Sequence, residues 1–382
     1  MPGRGASPEG ELFRHYRKRV FIRDKELILM RKSAMILAGL LAMSNMGMAA
    51  EWTWETDTVN NWTTVVTDGV MDYKDGDVLG IHGSDADYDP SIFSAAQGKE
   101  SKVVSPGILH LIVRTDPEAA GKASWVYGVN TVSEITDNQP KQTTKQVFDT
   151  GLDIDVESVL HHDNRRKELG MGIRAEAVGY SDMTPGDNAL TEQVFLKDVS
   201  VKVLNQTEKT TSSVGNGILY GVYGHSQGGG RVHQTFGGDL TISGSVESKG
   251  RGITGLRLLD KGENGEGSTL ELKGDTRIRV SSLQDGPAAG FTADAYGRQL
   301  VSTAEGKVFQ VSVRQHGIGE KARAVVLNAG RESEGGMGDR DMNGQQTVRI
   351  GGKTTIASDG ENYSVALTAN SRAGKRAAYH FR

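Results

Sequence analysis

The chain has 382 residues, 50 of them Gly and 8 Pro, with 36% apolar and 6% aromatic residues, a composition lean for a compact α/β enzyme and suited to short strands joined by tight turns. It has no cysteine, which excludes a disulfide framework, a thiolate zinc site and a cysteine nucleophile. The formal charge of −4 is uneven, +5 over residues 1–50 and −9 over 51–382, and so acidic a body disfavours a nucleic-acid partner.

Residues 1–29 read as a basic extension, expected to be unstructured and to precede a true start at Met30. Residues 30–50 read as an export signal peptide. Met30-Arg31-Lys32 supplies positive charge, Ser33 to Met43 supplies a short apolar run, and Gly47-Met48-Ala49-Ala50 supplies small residues for cleavage after Ala49 or Ala50. The competing readings are a membrane anchor and a buried helix; the apolar run is short for a span.

Residues 51–150 are expected to hold an N-terminal cap and early coils. Trp52, Trp54 and Trp62 fall within eleven residues there, and large aromatics can plug the open end of a stacked core. Acids gather at Asp72, Asp75 and Asp77, then at Asp85, Asp87 and Asp89. The second group opens like a calcium loop, but Pro90 stands where glycine is needed and no closing glutamate follows, so a solvated loop is the preferred reading.

Residues 151–382 are expected to be β-helix repeats. Apolar residues alternate in Leu152/Ile154/Val156, Val199/Val201/Val203, Leu240/Ile242, Leu270/Leu272, Ile278/Val280, Val311/Val313 and Val348/Ile350, which puts each set on one face of a strand. A second element follows, a small residue before a large apolar one. Its anchors are set at Ile173, Ile218, Ile253, Phe291, Val325 and Val365, with spacings of 45, 35, 38, 34 and 40. Gly244, Gly274 and Gly351-Gly352 are aligned as a shared corner. Helical periodicity is absent apart from a possible turn or two between Asp163 and Leu169.

Three chemical signals fall in this region. His161-His162-Asp163 could ligate a metal, but adjacent residues on a strand point to opposite faces, and an exposed loop is the simpler reading. Arg165-Arg166-Lys167 reads as solvated surface rather than a docking patch. Gly224-His225-Ser226-Gln227-Gly228 is a literal G-x-S-x-G, yet a nucleophile elbow needs a helix after the serine. Five glycines among residues 228–238 would not hold one, at about 1 kcal/mol each relative to alanine, so the match reads as coincidence and the run as a loop at a coil corner. No catalytic, cofactor-binding or metal-ligating residue is assigned, and no cofactor is expected.

A strand pair of this length cannot bury its apolar face alone; stacked coils can, by making one continuous inner stripe. The expected fold is all-β, a right-handed parallel β-helix with an N-terminal cap. A multi-sheet β-sandwich is the alternative, disfavoured because Asn343-Gly344 does not recur at fixed spacing.

The signal at 30–50, the lack of cysteine and the six paired units between Leu152 and Leu367 resemble an autotransporter (type V secretion) passenger domain. The resemblance implies an exported, non-enzymatic, adhesin-like solenoid at the cell surface, in the outer membrane or outside the cell, meeting a host or matrix ligand, protein or glycan. It also implies an outer-membrane β-barrel translocator encoded beyond this chain, because residues up to Arg382 contain no series of lipid-facing strands with aromatic girdles. The alternative function is a β-helix polysaccharide-active enzyme, a lyase or hydrolase, for which carboxylates should recur at one register on successive strands.

Overall fold

A computed structural model of the chain describes residues 61–62, 65–66, 69–82, 91–96, 98–115, 125–135, 142–160, 169–180, 188–207, 218–247, 251–261, 267–283, 285–317, 321–330, 344–361, 363–371 and 376–381. The basic extension, the export signal, Trp52, Trp54, Asp85, Asp87, Asp89 and the segment 161–168 lie outside these residues.

Every described element is a strand, and none of the described residues is helical. In chain order they are β1 (Asn61–Trp62), β2 (Val65–Val66), β3 (Gly69–Asp72), β4 (Val78–His82), β5 (Ser91–Ala96), β6 (Glu100–Thr115), β7 (Trp125–Glu134), β8 (Thr143–Leu160) and β9 (Leu169–Val178). Then come β10 (Leu190–Phe195), β11 (Val199–Thr207), β12 (Ile218–Gln227), β13 (Arg231–Phe236), β14 (Leu240–Val246), β15 (Gly252–Lys261), β16 (Ser268–Leu272), β17 (Thr276–Ser282) and β18 (Ala288–Ala295). The last are β19 (Arg298–Thr303), β20 (Phe309–Gln315), β21 (Lys321–Ala329), β22 (Gln345–Ile350), β23 (Thr354–Gly360), β24 (Tyr363–Ser371) and β25 (Arg376–Phe381).

All their pairings are parallel, and they sort the strands into three stacks. The first holds β3, the opening halves of β6 and β8, and β10, β13, β16, β19, β22 and β25. The second holds β1, β4, the closing halves of β6 and β8, and β11, β14, β17, β20 and β23. The third holds β2, β5, β7, β9, β12, β15, β18, β21 and β24. The chain visits third, first and second stack in rotation, so each coil has three strands and neighbouring coils pair edge to edge. This is a β-helix-like solenoid.

The alternating residues of the sequence form the core. Leu152, Ile154, Val201, Ile242, Leu270, Ile278, Val311 and Val348 are all buried in one continuous cluster that also draws on the third stack. Burying each such side chain contributes about 1.5–3 kcal/mol. At the end of the first-stack strands, Phe148, Phe195 and Phe236 stack in register with ring centres 5.1 and 4.8 Å apart. In the last coil Leu367 and Phe381 are 41% and 37% exposed, although their register mates Val325 and Ile350 are buried.

The register corrects two alignments read from sequence. Ile173 pairs with Val222, and the column continues through Leu256, Phe291, Val325 and Leu367. Ile218, Ile253 and Val365 therefore do not belong in it. The anchor pattern of small then large residue occurs twice per strand, and the spacing alone could not choose between the two. The column's mark is the residue before each anchor: Gly172, Gly221, Gly255 and Gly290 lie one above another. A Cβ on Gly221 would sit 2.6 Å from both the Gly255 carbonyl oxygen and Ile242 Cγ2. Bare backbone here lets the third stack press against the second, and the two inward residues in succession shift the strand's phase. Gly274 and Gly351 do stand at corners between first- and second-stack strands. Gly244 instead faces inward within β14, where a Cβ would meet Ile253 Cδ1 at 2.6 Å.

Candidate functional site on the third stack

The G-x-S-x-G run is fully described. Ser226 lies near the end of β12, fully buried, and donates its hydroxyl to Asp260 Oδ1 at 2.9 Å, with Ser268 Oγ at 3.0 Å. His225, the residue before it on the same strand, faces the opposite side. Its Nδ1 stands 3.0 Å from Glu176 Oε1. No helix follows: Gly228 and Gly229 turn the chain at φ of 59° and 86°, and β13 begins at Arg231. The serine is thus a corner residue tying the third stack to the first, and the Gly turn occupies the place where a nucleophile elbow requires a helix.

Asp75 and Asp77 also serve the backbone. Asp75 Oδ1 accepts the Ile108 N–H at 2.9 Å, and Asp77 Oδ2 accepts that of Lys74 at 2.8 Å.

The outer face of the third stack carries chemistry that periodicity did not reveal. Tyr127, Met171 and Tyr220 form a second buried apolar cluster, with Ile218 and Tyr223 against it. Arg174 lies over the Tyr127 ring, 5.0 Å from its centre, pairs with Glu176 and donates to Asn130 Oδ1 at 3.3 Å. Burial raises the Glu176 carboxyl, but the His225 hydrogen bond and the Arg174 charge outweigh it and hold the group below its ordinary range. The Tyr223 phenol is pushed above its ordinary range by burial.

Two coils beyond Arg174, Arg257 donates to Tyr220 Oη at 3.2 Å and to Asp294 Oδ2 at 3.1 Å. Asp294 is fully buried and accepts from Asn328 Nδ2 at 2.7 Å; Asn328 Oδ1 accepts from Asn370 Nδ2 at 2.8 Å. Glu176, His225, Leu259, Asp294, Asn328 and Asn370 are one outward column in strict register. Beside it, β18 presents short side chains, Ala288, Ala289 and Thr292, while its neighbours β15 and β21 present Arg257, Lys321 and Arg323. The short side chains leave a hollow of about 30 Å³ between longer ones.

A second polar row runs along the closing half of β8. Asp153, Asp155 and Glu157 alternate with the core residues Leu152, Ile154 and Val156 and so share the outer face. Burial pushes the Asp155 carboxyl up to about 6, with Lys202 opposing and Asp153 adding to the rise. His110 Nδ1 is 3.4 Å from Asp153 Oδ2, and Arg114 Nε is 3.9 Å from Glu157 Oε2. These acids could have been found by reading the residues between the apolar ones. The Arg257 hollow could not, because its members come from coils separated by loops of unequal length.

No protein-family model, no curated protein and no solved structure matches this chain.

Proposed function

We propose that the chain is an exported, non-enzymatic binding protein. It is a right-handed β-helix whose residues 51–150 include an N-terminal cap, and it resembles an autotransporter passenger displayed at the cell surface or released from it. The reading rests on one observation: parallel strands stack coil upon coil from Asn61 to Phe381, on a chain whose residues 30–50 have the charge, length and small-residue pattern of an export signal. Such a body offers long rigid faces for an adhesin-like contact with a host or matrix ligand, and its translocator is an outer-membrane β-barrel. The test is expression from Met30 in a Gram-negative host, with fractionation and N-terminal sequencing. A mature chain beginning at Ala50 or Glu51 outside the cytoplasm is expected. Retention of residues 30–50 on a cytoplasmic protein overturns the reading.

The alternative, a polysaccharide-active enzyme, is favoured by the outward row of Asp153, Asp155 and Glu157, in which one carboxyl keeps its proton to about pH 6 beside another acid. Release of reducing or unsaturated ends from acidic and neutral polysaccharides, lost in Asp155→Asn, would establish it.

A further inference from the structure

The hollow between β15, β18 and β21 is lined by three cations and by no carboxylate. Arg257 enters from one side, with Lys321 and Arg323 from the other, and Ala289 and Thr292 form the floor. The acid that meets Arg257, Asp294, is a fully buried member of the outward polar column and already accepts from Arg257 and Asn328. Arg257 is held charged and fixed: burial opposes its charge, but Tyr220, Asp294 and Tyr223 outweigh that opposition. Lys321 is exposed and sits 5.2 Å from the centre of the Tyr363 ring. Ile218 and Val326 add apolar walls next to the charges.

We propose that this hollow recognises the charged group of an acidic glycan, a carboxylate or sulfate carried on a sugar ring. A fixed guanidinium with a second guanidinium and an ammonium opposite matches one oxyanion, and the apolar walls match the carbon face of a ring. Nucleic acid fits less well. Its binding draws on many phosphate contacts, whereas the hollow gathers three cations on a body of residues 51–382 that carries −9. The inference names the ligand class for the binding function proposed above, but the hollow binds or fails to bind whether or not the chain is exported.

The test uses the purified full chain and calorimetric titration with heparin, oligogalacturonate, neutral dextran, inorganic sulfate and a phosphopeptide. Heparin or oligogalacturonate is expected to bind and dextran not to. Ala289→Leu, which fills the hollow without touching a charge, and the double variant Lys321→Gln/Arg323→Gln should each weaken binding at least about tenfold. Arg279→Gln, which removes an exposed cation from β17 on the second stack, should leave it unchanged. No binding of either acidic glycan, equal binding by the hollow variants, an equal loss with Arg279→Gln, or binding of sulfate or the phosphopeptide alone overturns the assignment. Glycan binding by a chain that stays in the cytoplasm would retain the site and reject the export reading.

Discussion

Asp198 and Asp239 occupy the same corner one coil apart, and Oδ1 of the first accepts the backbone N–H of the second at 2.8 Å. The step repeats: Asp239 accepts from the Asp275 N–H at 2.8 Å, and Asp275 from the Val308 N–H at 2.9 Å. The staircase supplies a partner to backbone groups where the chain turns between first- and second-stack strands and ladder bonds are interrupted. Asp239→Ala removes the acceptor for the Asp275 N–H and is expected to lower stability by about 1 kcal/mol, measured by urea unfolding. At Asp275 the Val308 N–H, joined by Arg277, holds the carboxyl below its ordinary range. Its contribution is therefore complete above the unfolded carboxyl value near 4 and is lost as pH falls through the lower folded value, so acid unfolding of Asp275→Asn should begin from a flatter baseline.

The glycine column predicts a steric result. Gly221→Ala places a methyl 2.6 Å from a carbonyl oxygen and 2.6 Å from Ile242, both in packed interior. A cost of roughly 3 kcal/mol or failure to fold is expected. Gly306→Ala is the comparison, because nothing lies within 4 Å of its Cβ and only its φ of +74° resists the change. About 1 kcal/mol is expected there. Equal melting temperatures for the two variants would show that the third stack does not approach the second as described.

Gln193 is fully buried and spans three elements. Its Nε2 donates to Thr131 Oγ1 and to the Arg174 carbonyl, both at 2.7 Å, and its Oε1 accepts from Gln234 at 2.9 Å. Gln193→Leu keeps the volume and strands those partners inside the core. Destabilisation of about 2–3 kcal/mol is expected by thermal or denaturant unfolding, against less than about 1 kcal/mol for Leu270→Met, an apolar position in the same first-stack column.

Ser226→Ala separates the two readings of the G-x-S-x-G run. The hydroxyl holds Asp260 inside the coil, so its removal should destabilise the fold by about 1–3 kcal/mol and leave hydrolysis of an ester panel unchanged. A nucleophile would behave in the opposite way, losing turnover at unchanged stability.

What could be read in the sequence follows from what repeats physically. Val199/Val201/Val203 and Ile278/Val280 must face a common core, and period-two alternation records that directly; the parallel stacking and the absence of helix among the described residues followed. The register did not, because Gly217-Ile218 and Gly221-Val222 look alike as residue pairs, and the pairing of Val222 with Ile173 and Leu256 arises only in the folded chain. The site was hidden for a related reason. Arg257, Ala289 and Arg323 become neighbours only through register across three coils, and nothing local marks Ala289 as the floor of a hollow. Gln193 carries no apolar mark in the sequence, although it holds an inward position in line with Leu270 through Gln234.

Asp155 gives a pH test on the second stack. Its folded carboxyl is raised from 3.8 to about 6, chiefly by burial. The folded state holds that proton more tightly than the unfolded chain, so the associated stability is complete below about pH 4 and drains away as pH rises through about 6. The shift corresponds to about 3 kcal/mol at most, and to roughly 1 kcal/mol after allowance for the part of the side chain still in solvent. Asp155→Asn removes the ionisation without changing the shape. Its melting temperature should match the parent near pH 4 and exceed it at pH 7–8; a variant less stable at pH 8 would mean that ionised Asp155 is held by Lys202 more strongly than burial opposes it.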